Sequence, residues 1–348
     1  MQQVIFPRSL SHDLATAISE CRHDRIFILA DEKTARHCMP QIEHFDCLNG
    51  AETIVIGQGE ENKSIRTLTE IWQHLSRNGA TRHSLLINLG GGMVTDIGGF
   101  AAATFKRGID FINIPTTLLA MVDAAVGGKT GINLNGLKNE VGAFSDARFV
   151  IIDTTFLKTL DNENLKSGYA EMLKHGLIGR TEQWVELINY DLARPDLVML
   201  QQMVSESQEV KRSIVAEDPH EHGIRKALNL GHTVGHAFES FAMTTGKPIL
   251  HGYAVAYGLI CELYISAIKT GFPTDILRQT VSFIRENYGQ MPITCNDYPA
   301  LVSLMQHDKK NITGTINFTL LADIGDIRID QTASEEEIRE ALDFYREG

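Results

Sequence analysis

Cysteine is scarce and follows no pattern. The five thiols, Cys21, Cys38, Cys47, Cys261 and Cys295, are odd in number and contain no Cys-x-x-Cys pair, which argues against a disulfide framework and points to reduced thiols in a cytoplasmic protein. Positive charge is also short: Lys and Arg number 32 against 44 Asp and Glu, a net charge of −12. That balance disfavours nucleic acid or an anionic membrane as the main partner, and an anionic substrate would need a local basic pocket. The longest apolar run, residues 254–268, is broken by Glu262, and the opening Met-Gln-Gln-Val-Ile-Phe-Pro carries no basic segment leading into an apolar core. Neither a membrane span nor an export signal is expected. Repeats, low-complexity tracts and long disordered linkers are missing too. What is present is 43% apolar residues over 348 positions, more than one ordinary core, so two domains are expected.

Short β-rich runs at residues 25–29, 53–56, 85–89, 111–114 and 149–152 alternate with polar helical segments. This rhythm predicts an α/β domain over residues 1–153, a Rossmann-like, mostly parallel sheet wrapped by helices. Beyond Asp153 the periodicity is that of long helices, as over 196–215 and 254–270, the latter closed by Gly271 with Pro273 beyond. Residues 154–348 therefore read as a second, helical domain. It contains one short strand over 316–321 and a last helix opened by a Ser334/Glu337 capping box.

Residues 85–89 run into Gly90-Gly91-Gly92 and then into a helical stretch over 93–103 with Asp96 in its first turn. In a strand–glycine–helix turn, bare amide N–H groups and the positive helix end can approach a pyrophosphate. The spacing is not Gly-x-Gly-x-x-Gly, so a plain tight turn competes with a nucleotide site. Ile114-Pro115-Thr116-Thr117 repeats the plan, with hydroxyls placed to cap the next helix or touch a cofactor. Gly127-Gly128-Lys129-Thr130 carries the Gly-Lys-Thr of a triphosphate P-loop, but Asp123 stands where that loop needs its first glycine, and residues 117–122 read as helix where a strand belongs. Lys129 remains either a point charge for a phosphate on mobile backbone or a solvated lysine.

In the helical half, residues 225–236 read Arg-Lys-Ala-Leu-Asn-Leu-Gly-His-Thr-Val-Gly-His. His232 and His236 share a helix face at this spacing, and the preceding Gly231 and Gly235 leave room for a ligand. Imidazole is the commonest metal ligand, yet two core histidines fit the same spacing. His251 offers a third ring. Glu171 and Lys174 read either as an exposed ion pair or, with Glu171 as an oxygen donor beside two imidazoles, as part of a catalytic zinc shell with one open position; His175 competes for that role. Lys211, Glu221, Arg225 and His307-Asp308-Lys309-Lys310 add charged groups that are singly ordinary surface residues.

Taken in order, these motifs resemble the 3-dehydroquinate synthase family of sugar-phosphate cyclases nearly end to end. The marks are Gly90-Gly91-Gly92 with Asp96 and Gly99-Phe100, Arg107-Gly108, Pro115-Thr116-Thr117-Leu118-Leu119, Asp123, Gly127-Gly128-Lys129-Thr130-Gly131-Ile132-Asn133 and Lys138-Asn139. They continue with Glu171 and Lys174, Lys211, Arg225, Leu228-Asn229-Leu230-Gly231-His232-Thr233-Val234-Gly235-His236, His251-Gly252 and Asp308-Lys309-Lys310. The resemblance implies an NAD-binding α/β domain and a helical metal-binding domain in a homodimer acting on a small sugar phosphate. It implies zinc, or cobalt, on Glu171, His232 and His251, with His236 beside the metal. NAD would meet Gly91, Gly92, Asp96, Thr116 and Thr117, with Glu60, Lys63, Lys129, Lys138, Phe156 and Thr159 at its other edges. Substrate phosphate would meet Lys129, Asn139, His236, Lys309 or Lys310, and Arg107 reaching over from the partner subunit. Lys211 and Arg225 would hold a carboxylate, and Asp123, Lys174, Glu221 and Asn229 complete the implied catalytic set.

The implied reaction turns 3-deoxy-D-arabino-heptulosonate 7-phosphate into 3-dehydroquinate and phosphate, a lyase step on the shikimate and chorismate route to aromatic amino acids. It proceeds by transient oxidation with NAD, phosphate elimination, reduction and intramolecular aldol closure. Three rivals are weighed. Sister cyclases whose substrates lack a carboxylate do not require both Lys211 and Arg225. Iron-type alcohol or glycerol dehydrogenases share the two-domain plan without needing Lys129, Asn139 and Lys309. An idle NAD-binding scaffold would not keep ligand and basic sets together. Met121 and Ala124-Ala125, where many members carry polar residues, lie beside Asp123 and leave the charged set intact.

Overall fold

Six short runs of mostly aliphatic residues pair into one sheet, every neighbour parallel to the next. In the computed structural model, which describes residues 2–135, 137–306 and 316–347, these are Gln3–Ile5 (β1), Ile26–Asp31 (β2), Glu52–Ile56 (β3), Leu85–Gly90 (β4), Asp110–Pro115 (β5) and a last strand after an inserted ribbon. The ribbon pairs Lys129–Leu134 (β6) antiparallel to Leu137–Phe144 (β7), and the last sheet strand is Phe149–Ile151 (β8). β4 and β8 are buried at every position, as strands covered on both faces require.

The sheet order is β3-β2-β4-β5-β8-β1. From β2 the chain winds to one edge, then returns to lay β4 on the other side of β2, so the winding direction reverses between them. Open parallel sheets bind ligands outside the strand C-termini at such a reversal. Here those ends are Asp31 and Gly90, the latter leading into helix Gly92–Thr104. Lys129 stands on strand β6, not on the mobile backbone that its two preceding glycines suggest.

The chain divides into two units, Met1–Asp161 with Leu197–Gln201, and Asn162–Asp196 with Gln202–Gly348. Leu197–Gln201 joins the first through Thr154, whose hydroxyl donates to Leu197 O (2.9 Å) and whose N–H donates to Gln201 Oε1 (2.8 Å).

The second unit is mostly helical, with one antiparallel ribbon of Asn317–Asp323 (β9) and Asp326–Thr332 (β10). Its long helix His251–Thr270 ends at Gly271 in the left-handed region (φ +80°), as its sequence predicts. Bare backbone draws other helices onto it. A Cβ on Gly252 would collide with Ser167 O in helix Asn162–Ile178, and one on Gly258 would collide with Gly231 O at the start of helix His232–Thr244. Gly231 and Gly235 serve the same packing: a Cβ on either would stand 2.9 Å from Leu259 Cδ2 or Ala254 O respectively. They admit a neighbouring helix rather than clearing space for a ligand.

Glu262, which interrupts the apolar run, is fully buried. Its Oε2 accepts the Gly231 N–H (2.6 Å) and its Oε1 the Val234 N–H (3.0 Å), satisfying amides that a helix start leaves without internal partners. The last helix, Glu335–Glu347, opens with the expected reciprocal cap: Ser334 N–H donates to Glu337 Oε2 (2.7 Å) and Glu337 N–H to Ser334 Oγ (3.2 Å).

Candidate active site

Three packed helices each present one donor to a common point. Glu171 lies midway along Asn162–Ile178, His232 opens His232–Thr244, and His251 opens His251–Thr270. Their donor atoms lie within 4.8 Å of one another, and His232 Nε2 and His251 Nε2 each stand 3.4 Å from Glu171 Oε1. That is long for a hydrogen bond. It matches a coordination tetrahedron, in which bonds of about 2.0–2.2 Å set neighbouring ligand atoms roughly 3.3–3.6 Å apart. Glu171 is fully buried, and among the described residues neither of its oxygens makes a well-directed hydrogen bond. Its compensation is ionic, from Lys174 Nζ on Oε2, and Lys174 is itself buried. The pair that spacing reads as exposed is wholly inside. A buried carboxylate with so few hydrogen bonds is costly, and a divalent cation against two neutral imidazoles and this carboxylate fits the donor set.

The electrostatics separate the two rings. Burial pushes the Glu171 carboxyl up, but Lys174 and His232 outweigh it and hold the group well below the usual carboxylate range. Burial drives His232 down to about 4 against the pull of Glu171. His251 is equally desolvated, yet the facing carboxylates of Glu171 and Glu239 raise it to about 10. One ring faces two carboxylates; the other faces one, beside the Lys174 cation. Each ring has its Nδ1 engaged elsewhere, His251 with Glu239 Oε2 (3.3 Å) and His232 with Leu230 O (3.1 Å). Both Nε2 atoms are thereby turned to Glu171, the orientation that outer partners impose on metal-ligating histidines. The sequence reading missed Glu239, whose signal was its place seven residues after His232, on the same helix face. His236 lies beside the other two rings, its centroid 5.3 Å from that of His232 and 5.9 Å from that of His251. His175 is buried with Nδ1 2.7 Å from Ser207 Oγ.

Nearby in sequence, Asp218 organises a turn by accepting the N–H groups of His222 (3.0 Å), Gly223 (2.7 Å) and Arg225 (3.1 Å). Glu221, left-handed at φ +62°, accepts from Asn229 Nδ2 (3.0 Å). Both line a cavity of about 410 Å³ with Lys226, Thr233 and Asp330. Arg225 and Lys211 are buried rather than solvated. His307, Asp308, Lys309 and Lys310 lie outside the described residues.

In the first unit two groups of the expected residues come together. Gly91 caps helix Gly92–Thr104, and a Cβ on Gly91 or Gly92 would stand 3.0 Å from Thr117 Cγ2 or 3.1 Å from Ala124 Cβ. The turns after β4 and β5 therefore touch, and Thr116 N–H donates to Gly90 O (3.0 Å). The second group centres on buried Lys63, which pairs with Asp96, donates to Asn139 Oδ1 and lies 4.0 Å from Glu60. Asn133, outside the expected set, bridges Glu60 Oε1 (2.8 Å) and the Asn139 N–H (2.9 Å). Burial pushes Asp96 up to about 6, against the pull of Lys63. Phe156 is buried and accepts from Thr159 Oγ1 through its carbonyl (3.3 Å). Lys129 and Lys138 are exposed on β6 and β7. Arg107 is exposed and left-handed (φ +73°), directly after Lys106 at φ +48°.

Comparison with known proteins follows the same division. Sequence profiles described as 3-dehydroquinate synthase N-terminal and C-terminal match residues 53–167 and 168–311. A 3-dehydroquinate synthase of Parabacteroides distasonis is 52% identical over 346 residues, covering 99% of this chain and 98% of its own. One from Clostridium tetani is 35% identical over 324 residues, covering 92% and 86%. Among solved structures, 2-epi-5-epi-valiolone synthase from Streptomyces hygroscopicus subsp. jinggangensis, with NAD+ and Zn2+ bound, aligns with a TM-score of 0.87 at 24% identity over 100% of this chain and 97% of that one. A 2-deoxy-scyllo-inosose synthase complexed with carbaglucose-6-phosphate, NAD+ and Co2+ gives 0.84 at 23% identity, over 99% and 96%. These two share the fold. The sequence matches go further, since they span both units at high identity: the chain belongs to the 3-dehydroquinate synthase family.

Proposed function

We propose that the protein is a cytoplasmic, homodimeric lyase that converts 3-deoxy-D-arabino-heptulosonate 7-phosphate to 3-dehydroquinate and phosphate with NAD and a divalent cation, zinc or cobalt. The observation that carries this reading is the Glu171–His232–His251 cluster, three donors at ligand spacing in a chain that is half identical to a 3-dehydroquinate synthase. The first unit takes the NAD role, supported by the glycine turn at the sheet's reversal, and the second the metal and substrate roles. Five free thiols support a reducing compartment, and among the described residues no helix is long and apolar enough to cross a membrane.

When bound, the cation supplies the Lewis acidity that makes a substrate hydroxyl easier to deprotonate, and NAD a reversible hydride store. The chain's own residues do the rest. Glu239 and Leu230 O orient the two imidazoles, and Lys174 offsets the buried charge of Glu171. Arg225, fixed by the Asp218 turn, meets the substrate carboxylate with Lys211 as a charge-assisted pair. Lys129, Asn139 and the partner subunit's Arg107 receive the phosphate. His236, beside the two imidazoles, joins the phosphate-receiving set, and Asp123 takes a proton-exchanging role toward substrate hydroxyls.

The test supplies the heptulosonate phosphate with zinc and catalytic NAD. Inorganic phosphate without net NADH is expected. Accumulating NADH would point instead to a dehydrogenase, and phosphate release only from a heptulose phosphate lacking the carboxylate would point to a sister cyclase.

A further inference from the structure

Two amide side chains interrupt the otherwise apolar centre of the parallel sheet. Asn88 on β4 and Asn113 on β5 are register partners and both are buried. Polar groups are buried at a cost unless they are bonded, so the destination of their hydrogen bonds is informative. Asn88 Nδ2 donates to Asn113 Oδ1 (2.8 Å), and Asn113 Nδ2 donates to the carbonyl of Ala125 (3.2 Å). Asn88 Oδ1 rests against Gly98, where any Cβ would collide with it. The same Ala125 carbonyl accepts a second amide, Gln2 Nε2 (3.3 Å), while Gln2 Oε1 accepts the Gly127 N–H (3.2 Å). One side chain from the chain's start thus grips two backbone groups of a single loop, and both lone pairs of one carbonyl are used.

That loop joins Asp123, inside the π-turn Ala120–Ala124, to Lys129 at the head of β6. Between them Gly127 (φ +104°) and Gly128 (φ +71°) take positive-φ conformations that glycine reaches freely but does not itself enforce, so the course of the loop is set by its hydrogen-bond partners. We propose that Gln2 and Asn113, with Asn88 behind them, are positioning residues: an amide clamp on Ala125 and Gly127 that holds Asp123 and Lys129 in working register. The proposal rests on the roles assigned above to Asp123 and Lys129.

Two variants test it. Gln2→Leu removes the outer grip at a partly exposed position. The double variant Asn88→Leu with Asn113→Leu removes the inner one: both ends of the Asn88–Asn113 bond are replaced by apolar groups, which is close to neutral, and the Ala125 carbonyl keeps Gln2 Nε2 as its partner. In each, amide exchange at Gly127–Lys129 is expected to quicken by about tenfold or more, and kcat for phosphate release to fall on a similar scale, with the melting temperature and bound metal nearly unchanged. Unaltered exchange at Gly127–Lys129 in both variants would overturn the clamp, and so would quickened exchange with undiminished kcat. If the wild-type protein releases no phosphate from the heptulosonate phosphate while the exchange effect is present, the functional reading fails and the clamp's structural half survives.

Discussion

In the first unit the glycine and threonine candidates stand on turns that follow strands; in the second the candidate metal donors stand on helices pressed together through glycine. Gly91, Gly92, Thr116 and Thr117 are neighbours because β4 and β5 are neighbours, and their grouping follows from sheet order. Glu171, His232 and His251 are neighbours because Gly252 and Gly258 let three helix backbones approach. The difference concerns where precision resides. Residues outside helices need pinning by side chains, as Asn133 pins Asn139 on β7, whereas helix residues inherit their placement from packing.

The largest test of this contrast is His232→Ala, which is expected to abolish bound metal and turnover together; metal analysis showing full occupancy in the variant would remove His232 from the ligand set. Next is Gly252→Ala. Its methyl group meets backbone in the adjoining helix, so a cost of about 1–3 kcal/mol is expected, read as a lowered denaturation midpoint with weakened metal binding. A variant as stable as wild type would show that helix approach does not set the site. Glu239→Gln keeps the packing and removes a charge behind His251. Metal affinity, measured by chelator competition, should fall about 10–100-fold with little change in melting temperature. The smallest effect concerns Asp218. Desolvation raises its pKa, but three backbone N–H donors together outweigh it and lower the group from 3.8 to about 2. A depressed carboxyl stabilises the fold above pH 3.8 and loses that contribution as the pH falls toward 2. The stability advantage of wild type over Asp218→Asn should therefore be present at pH 6 and shrink below pH 3.8; a constant difference would exclude the turn as its source.

What was legible in the sequence follows the same divide. The core strands β2, β3, β4, β5 and β8 announce themselves locally as apolar runs, and the strand–glycine–helix turn through the glycines that end β4. β6 and β7 do not, because glycines and exposed side chains erase the alternation, and β10 is too polar to stand out, with Asp326, Arg328 and Asp330 flanking Ile327 and Ile329. Spacing alone singles out His232 and His236, because it reports a shared helix face and nothing about the next helix. His251, well beyond His232 in sequence, joins it through packing at Gly252 and Gly258, where no local pattern reaches. The resemblance to the family, not the spacing, supplied that ligand. Glu239 and Glu262 were illegible for a related reason: an acid in a helix reads as solvent-facing until its partners are seen.

Glu262 carries one more implication. Because it grips the first amides of helix His232–Thr244 from within helix His251–Thr270, the two imidazole-bearing segments behave as a single welded piece. The cation proposed for this site would then meet a seat that exists beforehand, unlike small zinc modules that acquire their shape only on loading. Dialysis against a chelator should leave the circular dichroism of the helices essentially intact, and re-addition of zinc should restore function without a slow refolding phase.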